Sequence, residues 1–381
     1  MNSIYSNLTF TGQPADLLKT MQITFDEACA YNRILWETNY VDKWFTANAP
    51  QYSLRCDSIL DKYNLRFLAS IIGNDAATPL RPSDGFDIWH GEIPPVGYKF
   101  LTTVNKIDQL MGIYENPRLR EIQKFEELKK NILADFKDAY LGTKGAADYI
   151  VLRAISNGGT ADFTSTINPD GRTYKVDYGM PDGNKKKVAN DWTEDNISSV
   201  DCLKELVEII YEFASKGVSF GETLMSPEIK YYMKRSGLVK QAVHGSDKSK
   251  LVVTDKQFDA YWAENSLPPI TLVTKKNAIA TDGMRSVIDP WNHNMIVLKP
   301  QGVIGELQPA FEDNEIMPDK NVTYINADSS IRIAKWRVGE AGGQVAGEYT
   351  QGSWRVVPVI NSIEAIVNLE VRKTADTKKI K

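Results

Sequence analysis

The chain has 381 residues, with 45 Lys plus Arg against 49 Asp plus Glu and a formal net charge of −4. This length exceeds what one hydrophobic core usually serves, so two or more subdomains are expected; the near balance of charge excludes a global electrostatic drive toward nucleic acid or an anionic membrane. Cys29, Cys56 and Cys202 are odd in number and far apart, which excludes a small disulfide scaffold and favours reduced thiols in a reducing compartment. The first residues, with Asn2, Asn7 and Gln13, lack a basic-then-apolar leader pattern, and no apolar run reaches the roughly 18 residues of a membrane span. A soluble globular protein made in a cytoplasm is the expectation.

In chain order, residues Ala15 to Ala47 read as mostly helical with Asp16 as N-cap, followed by a β-prone stretch from Leu65 to Ile72. From Thr78 to Gly112 the chain runs about thirty-five residues through Pro79, Pro82, Pro94 and Pro95 while carrying Phe86, Trp89, Tyr98, Phe100 and Leu101. Structureless connections longer than roughly 12–15 residues are uncommon, and a polar linker would not hold this much aromatic surface. Alternation along Tyr98, Phe100, Thr102 and Val104 predicts a β-ribbon arm that needs a neighbour. From Pro117 the positions Leu119, Ile122, Phe125, Leu128, Ile132, Phe136 and Tyr140 recur at helical steps, with Asn116 placed to cap. The helix predicted there extends toward Ile155, with Gly142 and Gly145 as points of bending and Gly158-Gly159 as its end.

Phe163 to Val188 reads as a β-tongue with turns at Pro169-Asp170-Gly171 and Pro181-Asp182-Gly183. Ser198 or Ser199 opens an amphipathic helix bearing Leu203, Leu206, Val207, Ile210 and Phe213, and Ser226-Pro227-Glu228 begins another. Ile270 to Val273, Ser286 to Ile288, Met295 to Leu298 and Val322 to Ile325 read as strands, with Asp282-Gly283 as a hairpin turn. Ile331 to Val338 leads through a glycine-rich turn from Gly339 to Gly347 into strands Trp354 to Val357 and Ile363 to Val371, and Lys373 to Lys381 is a polar tail. No internal repeat occurs at a solenoid or propeller period.

Candidate chemistry is sparse. His90, His244 and His293 have no partner at zinc-motif spacing, and neither a nucleophile elbow nor a Walker-type loop is present. Gly142-Thr143-Lys144-Gly145 matches the bare clamp of an RNA-binding fold, a pattern expected often by chance. Glu126-Glu127 and Glu312-Asp313 are neighbours of a kind that 49 acids make inevitable, and Lys185-Lys186-Lys187 reads as the exposed tip of a turn. Trp262, Trp336 and Trp354 sit within predicted elements, where burial is their expected role. No catalytic residue, metal ligand or cofactor site is assigned. A carbohydrate-active enzyme and a soluble nucleic-acid-binding module remain as alternatives to a structural role.

Taken together, the order of elements resembles the major capsid protein E family of lambda-like tailed bacteriophages, which has the Hong Kong 97-type capsid fold. The resemblance covers nearly the whole chain. It rests on the proline-rich loop before a long helix, on Phe163 to Val188 followed by Val200 to Ser215 and Ser226-Pro227-Glu228, and on Asp289-Pro290-Trp291-Asn292 leading into Met295-Ile296-Val297-Leu298. What it implies is an α+β Hong Kong 97-like phage capsid fold with an extended β-arm, a long spine helix, and peripheral and axial domains. The implied division is an N-terminal arm and helical region at 1–50, a peripheral-domain strand region at 51–77 and an extended loop at 78–112. A spine helix at 113–158, a β-tongue at 159–196, an axial domain at 197–344 and C-terminal strands and tail at 345–381 follow.

The resemblance also implies a major capsid protein assembling with itself as pentamers and hexamers into an icosahedral shell, with no enzymatic activity. Phe86, Trp89, Pro94, Pro95, Tyr98 and Phe100 are its expected assembly contacts, with Trp89, Tyr98 and Phe100 buried only on assembly. Scaffolding, portal and decoration proteins are implied partners, with packaged DNA held by weak contact and no membrane; the location would be the virion capsid, assembled in a host bacterial cytoplasm. Some proteins with this fold join subunits by a lysine–asparagine bond, for which Lys99 or Lys106 would be the donor. No asparagine or catalytic acid is matched here, so these lysines are read as solvated or salt-bridging groups.

Overall fold

The computed structural model describes residues 3, 8, 10, 39–63, 87–168, 171–245, 251–281, 284–327, 330–339 and 345–372. The expected helix from Ala15 as far as residue 38, the β-prone stretch from Leu65 to Ile72, Phe86, Cys29, the turn residues Pro169-Asp170 and Asp282-Gly283 and the tail from Lys373 lie outside these residues.

Helix α1 (Tyr40–Trp44) starts where the Asp148 carboxylate accepts the backbone N–H groups of Tyr40 and Val41, at 3.2 and 2.8 Å, and so caps a helix that has no side-chain cap of its own. It gives way to strand β1 (Phe45–Ala47), so the helical reading to Ala47 is corrected at its end. Strands β2 (Arg55–Leu60) and β3 (Asp87–Glu92) pair as a two-stranded ribbon, and β4 (Pro95–Thr102) follows. Helix α2 (Val104–Glu115) occupies the end of the segment expected to be extended, which therefore stops at Thr102 rather than Gly112. Helix α3 (Glu121–Ser156) is the expected long helix, about 54 Å at the α-helical rise.

Asn116 is the C-cap of α2 and not the N-cap of α3. Pro117 pushes the preceding residue out of the α region, Asn116 takes φ −65° and ψ 112°, and its Oδ1 accepts the Arg118 N–H at 3.0 Å. One turn later Gln123 Oε1 accepts the Arg120 N–H at 3.1 Å and α3 begins. The helix passes unbroken through Gly142 and Gly145 and ends at Gly158 and Gly159, whose φ values of 64° and 86° suit glycine. Ile122, expected on the apolar stripe, is exposed, whereas Leu128, Ile132, Phe136, Ala139 and Tyr140 are buried.

Strands β5 (Thr160–Phe163) and β6 (Tyr174–Asp177) form an antiparallel hairpin in the expected tongue, and β7 (Lys185–Lys187) ends it. Helix α4 (Lys204–Ala214) starts after Asp201, whose Oδ1 accepts the N–H groups of Leu203 and Lys204; the expected cap at Ser198 or Ser199 is thus displaced to a carboxylate that reaches two donors. Strand β8 (Glu222–Met225) precedes α5 (Pro227–Arg235), whose N-cap Ser226 accepts the Ile229 N–H as the sequence predicts. Helices α6 (Gly237–His244) and α7 (Asp255–Glu264), strands β9 (Ile270–Leu272), β10 (Asn277–Thr281), β11 (Met284–Ile288), β12 (Met295–Lys299) and β13 (Gly305–Ala310), and helix α8 (Asp313–Ile316) follow. Strands β14 (Thr323–Asn326), β15 (Arg332–Val338), β16 (Gly347–Val359) and β17 (Val367–Glu370) complete the chain.

The chain divides into two compact units. The first comprises residues 1–56, 90–148 and 306–358. Its sheet runs β1-β13-β16-β15-β14, and β16 is long enough to hold β15 on one edge and β4 on the other. The second comprises 57–89, 149–305 and 359–381, with a sheet ordered β7-β17-β12-β8-β9. In the second unit Met225, Ile296, Leu298, Val367 and Leu369 join Leu206, Phe213, Ile229, Met233, Phe258 and Trp262 in one apolar core. Period-2 alternation explains why Val297 and Leu224, on the opposite face of those strands, lie outside that cluster while also being buried: this sheet is covered on both faces.

Candidate assembly interface

Five of the six expected contact residues fall on described segments, and they do not share one environment. Trp89 is only 6% exposed. Its ring stacks on Tyr178 at 5.3 Å and 23°, and its indole N–H donates to the Asp177 carbonyl at 2.8 Å. Both contacts lie within the second unit, so Trp89 is buried in the single chain; the expectation that it waits for a neighbour is corrected. An aromatic with a polar N–H is bound to seek a carbonyl, and the tongue supplies one.

Pro94, Pro95, Tyr98 and Phe100 belong to the first unit. Pro94 is buried, and Ile93 donates its N–H to the Leu54 carbonyl at 2.8 Å. Strand β4 pairs antiparallel with β16 from Thr102 opposite Glu348 to Pro95 opposite Arg355. Tyr98 and Phe100 therefore sit in a sheet and not on a free arm. They share a face with Thr350 and Gly352, and this face packs on α3. A Cβ added at Gly142 would lie 2.8 Å from the Tyr98 ring, and one at Gly352 would lie 2.4–2.5 Å from Thr143 Oγ1 and the Ala139 carbonyl. Gly142 therefore serves close approach of an aromatic ring rather than bending.

Beneath this contact lies a buried ionic cluster. Lys335, 1% exposed, donates to Asp135 Oδ2 at 3.2 Å and to Thr350 Oγ1 at 2.9 Å, and its Nζ is 3.8 Å from Glu348 Oε2. Asp135 also receives Lys106 at 3.2 Å, and the Ser3 hydroxyl donates to Glu348. Lys106 is thus salt-bridged, as read from the sequence. Lys99 faces the other way, with Nζ 5.1 Å from the Trp336 ring centre and 4.5 Å from that of Tyr349.

Within the second unit, Ile59 on β2 is 58% exposed and Ile88 on β3 45%. Tyr98, in the first unit, is open to a similar degree at 43%. Sequence reasoning missed Ile59 and Ile88 because they look like ordinary strand positions.

The other candidates resolve into structural roles. Thr143 and Lys144 are mid-helix: Thr143 Oγ1 donates to the Ala139 carbonyl and Lys144 Nζ to Tyr140 Oη, both at 2.8 Å, and Lys144 is ion-paired with Asp42. A clamp loop is excluded by that geometry. Lys185 to Lys187 form β7, parallel to β17, and are not a turn tip. Lys186 pairs with Glu212 and Lys187 with Glu370, and Lys216 with Lys186 holds the Glu212 carboxyl below the usual carboxylate range. Glu312 and Asp313 both face Arg355. Among the described residues no group of three metal-capable side chains occurs, and no helix is long and apolar enough to cross a membrane.

The sequence matches no known family profile and no curated protein. Solved structures do match. A protein assigned as a prophage capsid protein from Escherichia coli CFT073 aligns with a TM-score of 0.53 and 10% identity, covering 92% of this chain and 98% of that one. A phage-related protein from Bordetella bronchiseptica RB50 aligns with a TM-score of 0.50 and 12% identity, covering 93% and 97%. At these identities what is shared is the fold: α+β, with a long helix and sheets, of the Hong Kong 97-like phage capsid type.

Proposed function

We propose that the chain is a major capsid protein of a tailed double-stranded DNA bacteriophage, a shell-forming subunit and not an enzyme. The observation that carries this reading is the shared fold over more than nine-tenths of both chains, from a structure assigned as a prophage capsid protein. The finer placement in the major capsid protein E family rests on the order of the elements. In this reading α3 is the spine of the peripheral domain; of the expected axial span 197–344, residues 197–305 fall in the second unit, whereas 306–344 fall in the first. Copies associate as pentamers and hexamers, and modest interfaces multiply around a closed shell. Scaffolding, portal and decoration proteins are its partners, DNA is held weakly by a mildly acidic chain, and assembly takes place in the host bacterial cytoplasm.

Beside the expected contact Tyr98, which is exposed, the ribbon adds Ile59 and Ile88 as candidate assembly contacts. Ile59 and Ile88 are exposed apolar groups of an extended two-stranded element, which by itself is marginally stable and gains from a neighbouring surface. The test is expression of the full chain, alone and with the other virion genes, followed by sedimentation and electron microscopy. Closed shells are expected, and Ile59→Asp with Ile88→Asp should abolish them while the melting temperature of the subunit stays within about 2 °C of wild type. A chain that stays monomeric under both conditions would refute the capsid reading; normal shells from the double variant would refute only the ribbon as contact.

A further inference from the structure

On the first unit's sheet, the face opposite α3 carries a cleft of about 360 Å³ that the capsid reading leaves unused. Its floor is Ala334. The register sets Tyr324 on β14 and Gln351 on β16 directly across from Ala334, and Trp336 follows two residues along β15 on the same face. One small residue among large ones thus opens a notch between a phenol and an indole.

Both rings are held in place. Trp336 stacks on Tyr349 at 5.7 Å and 17° beneath the Lys99 ammonium. Tyr324 lies against the Arg332 guanidinium at 4.1 Å, and its hydroxyl accepts the Asp319 N–H at 3.2 Å. Asp319 Oδ1 in turn accepts the Asn321 N–H at 2.8 Å, which fixes the rim. Arg332 is nine-tenths buried, and its Nε and Nη1 make no hydrogen bond. The side chains of Asn314, Asn321 and Gln351 line the cleft, and their amides make no hydrogen bond among the described residues, which leaves donors and acceptors available.

We propose that this cleft is a binding site for a short neutral saccharide. A pyranose offers an apolar C–H face to a ring and a rim of hydroxyls that both donate and accept, which matches aromatic walls bordered by planar amides. Among the lining residues Asp319 is the one formal charge; the Lys99 and Arg332 cations lie against the Trp336 and Tyr324 rings and are not part of the lining. The volume lies at the small end of ligand sites and suits one or two sugar rings, and rigid walls reduce the ordering cost of binding. The proposal does not rest on the capsid reading.

The test is saturation-transfer difference NMR on the purified full chain with maltotriose, cellotriose and triacetylchitotriose as probes. At least one should receive saturation. Asn321→Ala, on the exposed rim, should weaken binding about fivefold, and Ala334→Leu, which fills the notch from its floor, should remove the signal while circular dichroism stays unchanged. Transfer to none of the three probes overturns the proposal, as does transfer that persists undiminished in well-folded Ala334→Leu protein. If Ala334→Leu fails to fold, an unchanged affinity in both Asn321→Ala and Gln351→Ala overturns it instead.

Discussion

Replacing Lys335 with methionine removes the ammonium that joins α3 to strands β15 and β16. Lys335 is 1% exposed, Asp135 5% and Glu348 fully buried, so the two carboxylates cannot turn to solvent without local opening. Breaking a buried pair from one side typically costs about 3–5 kcal/mol, because the surviving charge stays desolvated. Asp135 keeps Lys106 at 3.2 Å and Thr102 Oγ1 at 3.5 Å, while Glu348 keeps the Ser3 hydroxyl. Those survivors place the expected loss at the lower end, about 3 kcal/mol, or roughly 6–12 °C in melting temperature for a unit of this size. Calorimetry is the suitable assay, since two units need not melt together. Adding Glu348→Gln to the Lys335→Met chain removes one uncompensated charge and should recover part of the loss. A Lys335→Met shift below about 1 kcal/mol, or a double variant less stable than the single one, would refute the reasoning.

Burial raises the Glu312 carboxyl above the ordinary carboxylate value, with Arg355 opposing. A raised folded pKa means that the contribution of this group to stability is complete below the unfolded value near 4.5 and is lost as pH rises through the folded one. Glu312→Gln should therefore gain stability relative to wild type between about pH 4 and neutrality, and a melting difference that is flat or opposite over that range would contradict the assignment. Burial likewise pushes the Cys202 thiol up to about 12, so iodoacetamide followed by mass spectrometry should leave Cys202 unmodified in native protein and label it after unfolding; labelling at the rate of a free thiol peptide would show that the site opens.

Local chemistry was legible in the sequence wherever one or two residues decide the outcome. Ser226-Pro227-Glu228 starts a helix because a hydroxyl, a fixed φ and a first-turn acid act within four residues, and the structure places α5 there. Gly158-Gly159 ends α3 because a positive φ suits glycine. The apolar period from Phe125 to Tyr140 fixed the buried face of the long helix, and the order of these elements carried the fold. Environments set by distant partners were not legible. Trp89 lies buried on Tyr178, about ninety residues on. Tyr98 belongs to a sheet because β16, some 250 residues later, has a free edge for β4, and it lies flat on α3 because Gly142 has no side chain. The notch above Ala334 exists only because three strands bring Tyr324, Ala334 and Gln351 into one row. A sequence records which residues are adjacent along the chain and what period they keep. Which aromatic finds a partner and which stays open to a neighbour is fixed by strand register across long loops, and that is decided only when the sheet closes.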